Sequence, residues 1–323
     1  MDDMKNAAPC ASKPVQGMST NFGVFKKQIT KQVFVWLGLL FLLIFNITPM
    51  LGVITAFKEY QLRTGFIGIF TGDFVGLRYF KEFFTDRKFA DLLANTLTIS
   101  FLKIIAAFPL PILFAIMISE MKSRKYKRIV QTASYLPHFI SWVIVAGVFF
   151  AFFSTTNGVL NEILMNLKLI KEPIPILYDS KYYYFLAVIS DIWKETGWGA
   201  IIYLAAISGI DPTLYESAQI DGAGRLRRIW HITIPCIKGT IAVMLILGIG
   251  GIIYGNFDQT MLLQNTMNIS KSEILDTYIY KIGLSQGRYS YAAAAGLFQS
   301  LVSLVLVLTT NRLSRKISGA SLF

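Results

Sequence analysis

The sequence predicts an all-α integral membrane protein with six transmembrane helices. Three observations predict it. The 323 residues are 54% hydrophobic and only 15% charged, with a mean hydropathy of +0.53. A soluble domain of this size needs far more polar surface. Six apolar runs are long enough to cross about 30 Å of hydrocarbon at about 1.5 Å per residue. Lys and Arg gather beside those runs, as membrane orientation requires.

Residues 1–32 form a polar tail that ends with Lys26, Lys27 and Lys31. The first span covers 33–56. A secretory signal would have a shorter apolar region and an Ala-x-Ala site behind it, so this run reads as an uncleaved span. The second span, 92–118, contains Pro109 and Pro111, and the third, 135–153, has Pro137 at its mouth. Proline kinks a membrane helix, and such a kink serves either packing or a hinge. The remaining spans are 184–207, 237–257 and 291–310. The expected organisation is a tail 1–32, a membrane domain 33–311 and a short tail 312–323.

Orientation follows from the basic residues. With the N-terminus inside, the inner segments hold 17 Lys and Arg and the outer segments 12. The short inner loop 119–134, SEMKSRKYKRIVQTAS, alone holds five. Both termini and segment 208–236 are therefore expected on the cytoplasmic side. The outer segments 57–91, 154–183 and 258–290 carry aromatic and charged residues suited to short interfacial helices.

Several function classes are excluded. The net charge of +12 belongs to the membrane pattern, so no nucleic-acid partner is expected. Cys10 and Cys236, the only cysteines, give no disulfide framework and no metal-site spacing. His138 and His231 lack an HExxH context, and no nucleophile–base constellation stands out. No Gly-Lys dipeptide occurs, so the chain has no P-loop; if ATP drives it, another chain binds the nucleotide.

Residues 216–235, ESAQIDGAGRLRRIWHITIP, interrupt the apolar pattern. Asp211-Pro212 pairs an N-cap with a first-turn proline, so a helix is expected to start there. Gly222 and Gly224 mark a bend, and a second short helix over 225–231 is expected to stop before Pro235. Small residues at Ser217, Ala218, Gly222 and Ala223 suit seating in a partner's groove. The alternative is an amphipathic helix lying on lipid, its arginines facing headgroups.

Charged residues inside spans face cavities or partners. Asp191 and Lys194 stand three apart in the fourth span and are expected to pair on one face, either as a structural pair or as a polar lining. Trp193, Trp198, Tyr203 and Tyr254 are candidate stacking faces for sugar rings or anchors at the interface. Gly251 and Gly255 form a GxxxG pair. Asn256 and Asp258, which follow, are candidates for a hydroxyl-rich ligand.

Segment 216–235 resembles the EAA signature of ABC importer permeases, which reads Glu-Ala-Ala, three residues, Gly, nine residues, Ile-x-Leu-Pro. Here it reads Glu216-Ser217-Ala218, Gly222, Ile232, Ile234 and Pro235, with the Asp221-Gly222-Ala223 triplet also matching. Ser217 and Ile234 are mild departures. The blocks Asp191-Ile192-Trp193-Lys194, Gly197-Trp198-Gly199 and Ile202-Tyr203-Leu204-Ala205 are similar to the fourth span of maltose-type carbohydrate permeases, in particular those for complex oligo- and polysaccharides.

The resemblance implies a type I ABC importer permease with a cytoplasmic coupling helix in 208–236. Glu216 would contact a separate ATPase, Gly222 would set the bend, and Ala218 and Ala223 would permit close seating. It also implies a second permease chain, two ATPase subunits holding ATP and Mg, an extracytoplasmic solute-binding protein and a carbohydrate substrate. The implied location is the bacterial cytoplasmic membrane. Lys103 and Lys194 would suit an acidic oligosaccharide such as an alginate or pectin fragment. The rival readings are an ABC permease for a non-sugar solute and an ion-driven secondary transporter, which would normally carry more spans in paired repeats.

Overall fold

A computed structural model describes residues 29–318; the expected N-terminal tail, except for its last residues, Cys10 and the last five residues lie outside that range. The described residues form helices and connections with no β-strand, apart from one isolated bridge between Lys58 and Phe74. The chain divides into two units after Gly52.

The first unit contains the beginning of α1 (Lys31–Phe57), an apolar helix whose residues 33–47 are all exposed. The second unit begins at Val53. In chain order it contains α2 (Arg78–Phe84), α3 (Phe89–Ser119), α4 (Arg124–Phe139), α5 (Trp142–Phe153), α6 (Val159–Asn166) and α7 (Tyr183–Ser208). There follow α8 (Pro212–Ile220), α9 (Arg225–Gly250), α10 (Phe257–Leu263), α11 (Leu275–Tyr280) and α12 (Tyr289–Ser318).

Four of these helices, α1, α3, α9 and α12, are long and apolar enough to cross a bilayer, and α4 with α5 makes a fifth if the bent pair is one span. The 26-residue α7 is long enough too, but it carries Asp191, Lys194 and Glu195.

The third expected span is not one straight helix. α4 and α5 meet at 103°. Pro137 sits in the last turn of α4, and Ile140 and Ser141 are extended. The Ser141 side chain then accepts the Ile144 N–H at 3.5 Å and starts α5 as its N-cap. The second expected insert helix also differs. It does not stop before Pro235 but runs from Arg225 straight into the fifth span. That α-helix ends at Gly250, seven residues earlier than the pattern suggested; a 3-10 turn, Ile252–Tyr254, follows, and left-handed Gly255 and Asn256 turn the chain away.

Proline is accommodated by one device used three times. π turns at Leu43–Ile47, Lys103–Ala107 and Ile229–Thr233 each end two residues before a proline, Pro49, Pro109 and Pro235. In the second, Phe108 N–H reaches back five residues to the Lys103 carbonyl at 3.0 Å. A proline ring clashes with the carbonyl four residues back in an α-helix. The wider π turn moves that carbonyl aside.

The core is organised around α7. On one side Ala200, Tyr203 and Leu204 pack against Ala115 and Ile118 of α3. On another, Leu186 and Ala187 pack with Val145, Ala146 and Phe149 of α5. Gly197 is required by close approach: a Cβ there would lie 2.0 Å from the Ser134 carbonyl oxygen of α4. A separate cluster joins α2, α3, α11 and α12 through Phe83, Leu92, Tyr278 and Tyr291. Its polar centre is Asp86, which accepts hydrogen bonds from the hydroxyls of Tyr278 and Tyr291, the latter at 2.9 Å.

Candidate functional site

Two places in the second unit gather the residues singled out by the sequence. The first is a cleft of about 370 Å³ between α3, α7 and the end of α9. Its floor is polar. Lys103 Nζ, at the start of the α3 π turn, donates to Asp191 Oδ1 at 3.0 Å and to Gln259 Oε1 at 2.6 Å. Gln259 in turn donates to the Ala187 carbonyl at 2.6 Å and to Ser190 Oγ at 2.7 Å. This chain ties α3, α7 and α10 together. Only about a sixth of each ion-pair side chain is exposed, so both charges are largely removed from solvent.

Asp191 therefore pairs with Lys103 and not with Lys194. Three-residue spacing placed Asp191 and Lys194 near one face, but a helix face about 100° wide has room for both to turn apart. Lys194 lies outside the cleft, almost fully buried, with its amine on carbonyls of the α4–α5 break.

The upper wall of the cleft is Trp198. Its ring stacks on His138 with centroids 4.4 Å apart and planes 2° apart. His138 Nδ1 lies 2.7 Å from Glu195 Oε2, and Glu195 also lines the cleft. The facing wall, Gly248, Gly251 and Gly255, carries no side chains, so the expected GxxxG pair lies on the cleft surface. Asn256 closes one end, held at φ 61° with its side chain accepting the Gln259 N–H at 3.4 Å. Thr196 Oγ1, at the cleft, is buried with no hydrogen-bond partner among the described residues.

Of the eight residues proposed along the spans, the structure brings Asp191, Trp198 and Asn256 together at this cleft. Trp193 packs against Phe149 at 6.1 Å, and Tyr203 is buried between α7 and α3. Tyr254 and Asp258 are exposed and do not line the cleft. Ser100 and Glu195 join the site, as does Lys103, which the resemblance had suggested for an acidic sugar. The signal for Lys103 and Glu195 was present, as charges inside apolar runs.

The second place is segment 208–236. The Asp211 side chain accepts the Thr213 N–H at 3.0 Å and Pro212 occupies the first turn, so α8 starts where the sequence placed it. That N–H holds the Asp211 carboxyl below its usual range. α8 ends in a Schellman turn: Ala223 N–H bonds the Ala218 carbonyl at 2.8 Å, and Gly222 N–H bonds the Gln219 carbonyl at 3.0 Å. Gly222 takes φ +74°, which an L side chain resists, while the space around it is open. Its glycine is needed for the turn itself.

Beyond Gly224 the chain enters α9, and Tyr215 and Thr233 join the two helices through their hydroxyls at 3.0 Å. Ser217 donates to the Thr213 carbonyl within α8. Glu216 and Asp221 are exposed, and Glu216 makes no hydrogen bond or ion pair among the described residues. Ile220 is 88% exposed and Leu226 74%, so the tip of the turn presents apolar side chains that no described residue covers. Ile232 lies in the π turn and Pro235 at the start of the straight part of α9.

Known proteins resemble this chain in sequence and in overall fold. The family described as binding-protein-dependent transport system inner membrane component matches residues 107–319. Protein LplB of Bacillus subtilis (strain 168) is 44% identical over 286 residues, 88% of each chain. The polygalacturonan/rhamnogalacturonan transport system permease protein YteP of the same organism is 40% identical over 312 residues, covering 93% of this chain and 96% of its own. Among solved structures, a bacterial alginate ABC transporter in complex with an alginate pentasaccharide-bound periplasmic protein contains a chain with TM-score 0.84 and 39% identity. That match covers 93% of this chain and 99% of the other.

Proposed function

Because the chain belongs to the family of binding-protein-dependent transport system inner membrane components, we propose that it is the permease subunit of an ABC importer for an acidic oligosaccharide. Two proteins that it resembles are a polygalacturonan/rhamnogalacturonan transport permease and a transporter that imports alginate, an acidic polysaccharide. The six spans are α1, α3, the bent α4–α5 pair, α7, α9 and α12. Both termini and segment 208–236 face the cytoplasm. The membrane domain covers 33–311, flanked by the tails 1–32 and 312–323.

The observation that carries the reading is the α8 bracket. A capped helix, a Schellman turn and a hydroxyl tie to α9 hold a projection whose acid and apolar tip have no partner among the described residues. A groove on a separate ATPase is the surface it fits. Glu216 and Asp221 supply polar contacts there; Ser217, Ala218 and Ala223 allow close seating; Gly222 holds the turn; Ile232 and Pro235 root it in α9. ATP and Mg sit on the two ATPase subunits and not on this chain.

A second permease chain completes the path, and an extracytoplasmic solute-binding protein delivers the sugar. On this side the path is the cleft, where Asp191, Glu195 and Asn256 meet hydroxyls and Trp198 offers a ring face. Trp193, Tyr203, Tyr254 and Asp258 are left to packing and the interface.

The test is purification of the tagged chain, followed by reconstitution with its ATPase and binding protein. A copurified ATPase and ATP-dependent uptake of a uronate oligosaccharide are expected. Stimulation of ATP hydrolysis by no sugar in a panel of loaded binding proteins would sink the substrate class. Glu216→Lys and Gly222→Asp are expected to leave the chain in the membrane but to uncouple uptake from hydrolysis. Normal transport by both variants would remove the coupling role from α8.

A further inference from the structure

We propose that Lys194 is a positioning residue: it caps the end of α4 from the neighbouring helix and so holds the His138–Trp198 stack that walls the cleft. The proposal rests on the reading of that cleft as a sugar path, and it assigns Lys194 to the wall's support and not to the sugar.

α4 stops at Phe139, and a helix that stops leaves its last carbonyls without intrahelical donors. Within hydrocarbon no water supplies the missing bonds. Lys194 supplies them. Its Nζ lies 2.6 Å from the His138 carbonyl oxygen, 2.8 Å from that of Ile140 and 3.3 Å from that of Pro137. An ammonium has three N–H donors, and three acceptors face it. Only 6% of the side chain is exposed, so no donor remains for a ligand.

The charge is accommodated locally. The C-terminal end of a helix is electronegative, which suits a cation. Glu195 Oε1 lies 3.8 Å from the amine, and the Trp142 ring centroid lies 5.6 Å away.

The same turn of α7 grips His138 at three points. Lys194 holds its carbonyl, Glu195 its ring nitrogen and Trp198 its ring face. Gly197, between them, lets the Ser134 carbonyl come close enough for this to happen. Without the amine, the His138 and Ile140 carbonyls lose their donor where the backbone turns extended, and the Pro137 carbonyl keeps only the Ile140 N–H. The end of α4 must then shift, and the His138 ring shifts with it. Trp198 loses the plane that fixes its orientation in the cleft.

A role confined to folding makes a different forecast: less assembled complex, but normal transport per ATP in what assembles. The experiment measures sugar uptake per ATP hydrolysed in reconstituted complex for Lys194→Met, His138→Ala and the double variant. Each single change is expected to lower that ratio by roughly tenfold, and the double no further than the worse single, as coupled residues behave. Lys194→Gln, which keeps amide donors, is expected to fall between and carries the comparison if Lys194→Met does not assemble. Multiplying losses, or an unchanged ratio in both Lys194 variants, overturns the proposal.

Hydrogen exchange provides an arm independent of substrate. Amides of residues 138–144 in the Lys194→Gln complex are expected to exchange roughly tenfold faster than in the parent. Unchanged protection overturns the proposal whatever the uptake result. Faster exchange in a complex that takes up no sugar supports the capping role and defeats the substrate reading alone.

Discussion

Lys103 and Asp191 stand 88 positions apart in sequence and 3.0 Å apart in space, inside a region where an unpaired charge is expensive. Replacing one partner strands the other, which in buried pairs costs about 3 kcal/mol or more. Lys103→Met is therefore expected to destabilise the protein by about that amount, and Lys103→Met with Asp191→Asn by clearly less. Thermal melting of the detergent-solubilised variants checks the order. Gly222 is a residue of another kind, where only the backbone matters. Gly222→Ala meets no neighbour but must hold φ +74°, a strain of about 1 kcal/mol confined to the turn. Asp86 gives the pH prediction. Burial alone would raise its pKa, but the hydroxyls of Tyr278 and Tyr291 and the Lys88 N–H outweigh burial and lower it. A carboxyl with a lowered folded pKa stabilises above its unfolded pKa of about 3.9 and loses that contribution as pH falls through the folded value. Asp86→Asn is thus expected to lower the melting temperature at pH 6 and to narrow its gap to the parent at pH 3.

At the scale of elements, the same few devices recur. Ser141 and Asp211 both start helices by accepting an N–H, and Ser141→Ala is expected to cost about 1 kcal/mol and to loosen the first turn of α5. Cysteine accessibility at position 143 in the variant reads that loosening; no change would mean that Lys194 and packing hold the break without the cap. The α4–α5 break and the uninterrupted passage of α9 through Pro235 show the two fates of proline in this chain. Pro137 lies in a last turn, where Lys194 binds carbonyls at the helix end. Pro109 and Pro235 lie mid-helix, where a π turn makes room.

Across the whole molecule, local chemistry was legible and distant partnership was not. The α8 cap, the bend at Gly222 and the apolar runs follow from residues within one or two turns of each other, so the sequence displays them. The charges inside apolar runs were equally visible as functional candidates. Their partners were not, because spacing along α7 suggested Asp191 with Lys194, while the fold supplied Lys103 from α3 and backbone carbonyls from α4. Backbone carbonyls carry no sequence signature. The His138–Trp198 stack escaped for the same reason, lying between helices 60 positions apart. The division of Trp193 and Trp198 between packing and cleft depends on which face of α7 meets α5, a fact of packing that composition does not contain.

The π turns before Pro49, Pro109 and Pro235 have one more consequence. Each holds one residue more than the α turn it replaces, at nearly the same length along the axis. Where a relative lacks the proline, that surplus residue has no purpose and can drop out with little change to the span. Aligned relatives are therefore expected to show single-residue gaps at 43–47, 103–107 and 229–233, each accompanied by loss of the proline two positions on. Gaps elsewhere in these spans would rotate every following side chain by about 100° and should be rare.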